Sequence, residues 1–410
     1  VSAAGYRPTD QLHLWLLTVP ADPVLIGELN LVRANRGVSL RYADQWLERG
    51  FALSEDLPLV DEEFLPPDKE TAAGAVDDAR PDRWGERLIR FLDKPARLSL
   101  LEYLYFAGDD RFGALGVSTS ATEYRPRRFG PLPVLGDAVR IQELIRSLQD
   151  GEPLPERERK LLAPGVTMGG ARPKALLDID AEQWVVKFGD GDATDAPLVE
   201  HAAMTLASQA GIRVAETMPV RLTGGHAVAV KRFDRGRARR VHCLTAHVAL
   251  RAAQERFGYP ELAQLLRRRG VTDADRYVAD MHELFRRMVF NILIDNTDDH
   301  EKNHALLVTD AQQYELAPAY DVLPSGQALG FQQMRVGEHE ADSTLANALS
   351  MAQLFELGEK QAVAQVRRVA RVVGGWRQHF AGCGVIRRDL DLLAEQIDRP
   401  FLADQRRDYE

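Results

Sequence analysis

Only two cysteines occur in 410 residues, Cys243 and Cys383, and neither belongs to a CxxC pair. That excludes a disulfide framework and a thiolate zinc site, and it fits a reducing, cytoplasmic setting. Long apolar runs are also missing. The longest, Met288 to Ile294, is seven residues and already contains Asn291, whereas a membrane-spanning helix needs roughly 20; no membrane association is expected. The start, Val1-Ser2-Ala3-Ala4-Gly5, lacks a basic segment followed by an apolar one, so no secretory signal is visible. Positive charge is in deficit: 52 Lys and Arg against 61 Asp and Glu give a net charge of −9 and a pI of about 5.7. That balance speaks against a surface devoted to nucleic acid while leaving room for local basic patches. There is no internal repeat and no low-complexity segment. What is present is ordinary globular composition, 45% hydrophobic and 28% charged, long enough for two or three domains.

The first forty residues read as an antiparallel meander, Leu12–Leu17, Leu25–Leu31 and Val38–Tyr42, the last two joined across Asn35-Arg36-Gly37. Asn and Gly there would supply the positive φ of a tight turn. A helix is expected from Ala43, and another over Asp77–Leu92, where Trp84, Leu88 and Phe91 recur at helical spacing. Tyr124 to Pro133 is dense in Pro and Arg and marks a boundary. Beyond it, Lys174–Ile179 and Gln183–Phe188 form one hairpin, and Val214–Leu222 with His226–Phe233 a second. Between them a helix opens at Pro197 and closes at Gly211. After Asp234 the pattern turns helical, with Leu284, Phe285, Met288, Val289, Ile292 and Leu293 on one stripe and Leu354 to Trp376 on another.

Chemistry concentrates first in Asp295-Asn296-Thr297-Asp298-Asp299-His300-Glu301-Lys302-Asn303, a polar loop between a buried-looking helix and a strand, His304–Val308. Asp298 and Asn303 are five apart, the separation at which a kinase catalytic loop places the carboxylate that accepts a hydroxyl proton and the carboxamide that ligates a metal. A calcium loop starting at Asp295 fails, because His300 and Leu306 stand where Gly and Glu are required. A zinc site on His300 and His304 fails because the residues between them lead into a strand. The bland alternative is a solvated loop whose Asp and Asn residues merely make turns. Against it stands Leu316-Ala317-Pro318-Ala319-Tyr320-Asp321-Val322-Leu323-Pro324. A hairpin through Tyr314–Leu316 would bring Asp321 back beside Asp298, and two carboxylates with a carboxamide form the oxygen-rich set that suits Mg²⁺ with nucleotide phosphates.

Cationic groups lie upstream. Val166-Thr167-Met168-Gly169-Gly170-Ala171-Arg172-Pro173-Lys174 is a Gly-rich turn that can offer backbone N–H groups to a phosphate, although it fits neither the Walker nor the protein-kinase consensus. Taken alone it reads as an ordinary Gly-Gly hairpin turn. Lys187 sits within the apolar strand Trp184-Val185-Val186-Lys187-Phe188, where burial demands a partner such as Glu200; the alternative is an edge-strand lysine facing water. Val228 to Asp234 is a buried strand running into charge where sheet gives way to helices, the position of a hinge.

These segments resemble the HipA family of bacterial toxin-antitoxin serine/threonine kinases. The resemblance rests on Gly169-Gly170-Ala171-Arg172-Pro173-Lys174, Lys187, Lys231-Arg232-Phe233-Asp234, Asn296 to Asn303 and Ala317-Pro318-Ala319-Tyr320-Asp321. Asp78 to Gly85 and Gly108 to Gly116 extend it to the N-terminal part. It implies an α+β fold: an N-terminal α/β subdomain over 1–118 followed by a two-lobed protein-kinase-like fold, with an antiparallel-sheet small lobe over 119–234 and a mostly helical large lobe over 235–410. It implies Asp298 as catalytic base, Asn303 and Asp321 as Mg²⁺ ligands, and ATP held by Lys187, the turn at Gly169, Gly170, Ala171 and Lys174, and the segment from His300 to Lys302. Lys231 and Phe233 would hold adenine and Asp234 would lie near the ribose, with Glu200 pairing Lys187. Where the family's phosphate loop carries a self-phosphorylated serine, this chain has Thr167, and the span between Lys174 and Lys187 is short. The implied substrate is a translation component such as an aminoacyl-tRNA synthetase, its phosphorylation arresting growth. The implied partner is a HipB-like helix-turn-helix antitoxin through which operator DNA would be bound. Two other classes remain: a catalytically silent regulator contacting DNA through Arg235, Arg237, Arg239, Arg240 or Arg267–Arg269, and a phosphotransferase acting on a small molecule or lipid.

Overall fold

Alternation of apolar and polar residues in the first forty positions produces strands β1 (Gln11–Leu16), β2 (Val24–Val32) and β3 (Gly37–Tyr42), which bury Leu12, Leu14, Ile26, Leu29, Val38 and Leu40 on one side. A computed structural model describes residues 6–34, 36–162, 172–325 and 327–409. The chain divides into two compact units, Val1–Phe188 with Lys231–Leu244, and Gly189–Val230 with Thr245–Glu410. This division cuts across the three segments expected from sequence, because the Lys174–Phe188 hairpin and the hinge segment cluster with the N-terminal part.

In the first unit, the strands continue through helix α1 (Asp44–Arg49), β4 (Glu63–Phe64), α2 (Arg83–Leu88), α3 (Leu100–Phe106) and β5 (Leu115–Ser118) into an antiparallel sheet of order β4-β3-β2-β1-β5. The positive φ before β3 falls on Arg36 (56°), while Asn35 lies outside the described residues. Gly37 itself begins the strand, and the reason for glycine is crowding: a Cβ there would stand 2.5 Å from the Pro66 ring. The single helix expected over Asp77–Leu92 is instead three pieces: a 3₁₀ turn over Gly74–Ala79, α2, and a π-helical turn over Ile89–Asp93. Pro81 causes the break by holding Arg80 extended (φ −71°, ψ 151°), after which Asp82 restarts the helix by capping Gly85 N at 2.7 Å. The Pro- and Arg-rich segment is anchored within this unit, since Arg127 pairs with buried Asp93 at 2.8 Å and Tyr124 bonds Asp109 at 2.6 Å. Helix α4 (Ala138–Gln149) follows, then the hairpin β6 (Lys174–Ile179) and β7 (Glu182–Phe188), turned by Asp180 and Ala181 at φ 54° and 63°.

The second unit opens with α5 (Ala196–Gln209), Pro-led as expected, and the hairpin β8 (Thr217–Leu222) with β9 (Gly225–Lys231). Strand β10 (Cys243–Thr245) carries the chain back into it. Helices α6 (Ala246–Ala252), α7 (Tyr259–Arg269) and α8 (Arg276–Leu293) then lead to the hairpin β11 (Ala305–Val308) with β12 (Tyr314–Leu316). Helices α9 (Leu345–Ser350), α10 (Glu359–Gly374), α11 (Trp376–Gly382), α12 (Arg387–Ile397) and α13 (Pro400–Arg407) complete it. The stripe expected on α8 is buried in full, each large side chain contributing about 1.5–3 kcal/mol. The stripe from Leu354 is interrupted: a 3₁₀ turn ends at Phe355, Glu356 is left-handed (φ 59°), and α10 starts at Glu359. Among the described residues no helix is long and apolar enough to cross a membrane.

Candidate active site

Helix α8 delivers the chain to a loop whose residues Asp295, Asn296, Thr297, Asp299 and Asn303 are all buried, while Asp298 alone among Ile294–Asp299 is exposed. Much of that burial is met by hydrogen bonds. Asn296 N donates to Asn291 O at 2.9 Å and its carboxamide to Asn291 Oδ1 at 3.1 Å. Asp299 Oδ2 receives His304 Nε2 at 2.9 Å and the Tyr259 hydroxyl, and Tyr259 packs edge-on to the His304 ring. Burial alone would lift the Asp299 carboxyl, but His304 and the hydrogen bonds from His304 and Tyr259 hold it below its usual range. Burial and Asp299 push the Tyr259 phenol well above its own. Asp299 therefore fixes the loop from beneath while its neighbour Asp298 is turned outward, and Asn303 reaches back with Nδ2 3.4 Å from Asp298 O. A solvated loop would not bury its flanking polar residues in this way.

The Ala317–Val322 segment is held by a second network. Arg213 bonds Asp280 (2.6 Å), Glu283 (2.7 Å) and Leu316 O (2.9 Å); Arg287 bonds Glu283 and Ala317 O (2.6 Å); and Leu316 N donates to Asp280 Oδ2 at 2.9 Å. Burial opposes ionisation of Glu283, yet Arg287 and Arg213 hold its carboxyl low. The two loops are laced directly: Tyr320 donates its hydroxyl to Lys302 O at 2.8 Å, and Ser325 joins Thr297 Oγ1 at 2.6 Å and Asp295 O at 3.0 Å. The segment carrying Asp321 thus lies against the loop carrying Asp298 and Asn303. Asp321 is partly exposed and left-handed at φ 58°, a conformation aspartate tolerates.

Asn303 and Asp321 offer hard oxygen donors, which fit Mg²⁺. With Asn303 Nδ2 committed to Asp298 O, the other end of the carboxamide is its oxygen. Among the described residues no three His, Cys, Asp or Glu side chains gather as a metal set, and Mg²⁺ held by two protein oxygens, water and phosphate needs no such set. His300 is half-buried with Nδ1 unpaired, and Lys302 is exposed. Glu200 is buried on α5.

In the first unit, Lys187 is 8% exposed on β7, so an edge-strand lysine facing water is not what the fold contains. Two side chains depart from expectation. Lys174 is 1% exposed, its ammonium on Asp82 Oδ2 at 2.8 Å, where the same aspartate caps α2; it points into this unit because the Asp82 carboxylate is buried with it. Asp234 is wholly buried and receives Arg232 Nε (2.9 Å), Arg232 Nη2 (2.8 Å), Arg235 Nη1 (2.9 Å) and Gly113 N (2.8 Å). Burial opposes its charge, but Arg232 and Arg235 hold it down to about 2. That carboxylate grips the loop at Gly113, whose φ of 71° calls for glycine, rather than facing a ribose. Lys231 pairs with Glu182 at 2.5 Å, and Phe233 packs edge-on to Phe112. Thr167, Gly169, Gly170 and Ala171 lie outside the described residues.

The basic runs divide: Arg237, Arg239, Arg267 and Arg268 are exposed, and Arg235, Arg240 and Arg269 are partly buried. Arg267 and Arg268 pair with Glu356 and Glu255, Arg269 covers Tyr314, and Arg235 and Arg240 belong to the Asp234 and Asp109 clusters. Sequence reasoning missed the supports Tyr259, Asp299 and His304, and the cluster Arg213, Asp280, Glu283 and Arg287. One signal was available: Asp280, Glu283 and Arg287 recur at helical spacing on the apolar side of α8, where charge is costly unless paired.

The model of the HipA-like C-terminal domain matches residues 166–376, half of the chain, and that of the HipA N-terminal domain matches residues 17–118. The chain belongs to the HipA family of kinases, and its fold is α+β, two-lobed and kinase-like. Among curated relatives, the candidate kinase Y4dM of Sinorhizobium fredii is 33% identical over 36% of this chain and 39% of its own length. The serine/threonine-protein kinase toxin HipA of Shewanella oneidensis is 22% identical over 85% of each chain. A chain of the solved Shewanella oneidensis complex of HipA, HipB and operator DNA superposes with a TM-score of 0.67 at 19% identity, covering 97% of both.

Proposed function

We propose that this chain is an ATP- and Mg²⁺-dependent serine/threonine protein kinase, with Asp298 as the base. The observation that carries the reading is the outward-turned Asp298 on an otherwise buried loop, five residues before Asn303 and laced through Tyr320 and Ser325 to the segment of Asp321. Mg²⁺ bound by Asn303 and Asp321 would neutralise charge on the phosphate oxygens. The chain's own part is positional. Asp298 accepts the proton of a substrate Ser or Thr hydroxyl, Lys187 fixes phosphate oxygens, and the main chain at Lys231–Phe233 receives adenine. Rigid support of Asp298 from Asp299 keeps the base within reach of the hydroxyl, the kind of placement on which much of the rate depends.

The toxin name of the Shewanella relative and the HipB and operator DNA in its complex support a place in a toxin-antitoxin pair with a HipB-like partner. DNA contact by this chain would be slight, given its net charge of −9. The substrate would be a translation-related protein such as an aminoacyl-tRNA synthetase, the site of action the cytoplasm, and Thr167 the residue of self-phosphorylation. Asp298→Ala and Asp321→Ala should each abolish γ-phosphate transfer with the fold intact by circular dichroism; full activity in either variant defeats the mechanism. Mass spectrometry of the ATP-treated protein should find phosphate on Thr167, and phosphate elsewhere would remove that regulatory part alone.

A further inference from the structure

We infer that Arg399, beyond the end of the matched C-terminal family domain, is a positioning residue that holds the catalytic loop and the segment after Asp321 in register. Its guanidinium bridges them: Nη2 donates to Asp295 Oδ1 at 2.6 Å and Nη1 to Ala328 O at 3.0 Å. Asp295 lies three residues before Asp298, is fully buried, and holds a left-handed φ of 58°. Burial opposes the charge of this carboxylate, and Arg399 is the cation set against it, pairing with it at 2.6 Å. Ala328, seven residues after Asp321, is left-handed as well (φ 50°).

Arg399 can act as a strut because its own backbone is locked. It sits between α12 and α13, its carbonyl accepting Leu402 N and Ala403 N at 2.9 Å. Arg406 donates to Ile397 O and Asp398 Oδ1, and Trp376 Nε1 reaches the same Asp398 oxygen at 3.0 Å. The guanidinium lies over the Phe401 ring, 5.1 Å from its centroid, which fixes its plane. A rigid corner of the C-terminal helices thereby sets the dihedral angles from which the chain proceeds to Asp298. Displacements near 1 Å at such a site cost on the order of 100-fold in rate.

The inference rests on Asp298 being the base, and its test separates the two. In the full-length protein, Arg399→Gln should lower kcat about 10- to 100-fold with a smaller rise in KM for ATP, because the loop that moves carries Asn303 together with Asp298 while Lys187 and the main chain at Lys231–Phe233 lie outside it. Hydrogen–deuterium exchange should quicken in peptides covering 295–303 and 327–330 and stay unchanged in α8. Arg399→Lys, able to keep one of the two contacts, should fall between. Wild-type kcat with unchanged exchange at 295–303 would overturn the inference, as would acceleration throughout the second unit, the mark of general destabilisation. Undiminished transfer by Asp298→Ala would instead remove the base, and the exchange comparison would still decide whether Arg399 holds the loop.

Discussion

Two adjacent aspartates, Asp298 and Asp299, do opposite things, and the difference lies in their surroundings. Asp299 is buried against Tyr259 and His304, so it serves as an anchor; Asp298 is exposed, as the proposed proton transfer requires. Tyr259→Phe removes a donor to an ionised, buried acceptor and should lower the stability of the second unit by about 1.5–3 kcal/mol in urea unfolding. Asp234 gives a pH test. Its carboxyl is held down to about 2 against an ordinary 3.8, so its contribution, about 2 kcal/mol, is complete above the unfolded value and lost as pH falls from about 4 to about 2. The stability difference between wild type and Asp234→Asn should therefore shrink over that window; a constant difference would contradict the assignment. That the segments of Asp298, Asn303 and Asp321 lie together was legible, because a single short hairpin joins them. One partner of Asp234 was not: Gly113 lies 121 positions away, whereas Arg232 and Arg235 are its neighbours in sequence.

At the scale of elements, helix α8 bears two stripes on its inner side, one apolar and one charged. The apolar stripe was readable from periodicity. The charged one acquires meaning only through Arg213 and the Ala317 carbonyl, which lie on other segments. Arg287→Ala should cost about 3–5 kcal/mol, since it leaves a buried carboxylate short of a cation and a carbonyl without a donor; denaturant titration of the variant checks this. The broken helix at Arg80-Pro81 teaches the converse lesson, because the sequence there contains the answer. Proline outranks an apolar repeat, and Asp82, freed to cap α2, also receives Lys174.

For the whole molecule, the net charge of −9 takes on a specific meaning. Arginines such as Arg232, Arg235, Arg240 and Arg287 neutralise carboxylates within each unit, while Arg237, Arg239, Arg267 and Arg268 lie on the surface. The helical content after Asp234 and the family were legible from the order of motifs along the chain. Where one unit ends and the other begins was not, because the hinge segment joins the N-terminal unit through Asp234, a tertiary contact without a sequence signature. The proposed reaction is transfer of the γ-phosphate of ATP with Asp298 as base and Mg²⁺ at Asn303 and Asp321. The direct measurement is phosphate incorporation from γ-labelled ATP by the purified full chain, with and without Mg²⁺, beside Asp298→Ala. Mg²⁺-dependent labelling of Ser or Thr that vanishes in the variant is the predicted result; labelling that persists in Asp298→Ala, or none by wild type with Mg²⁺ present, would contradict it.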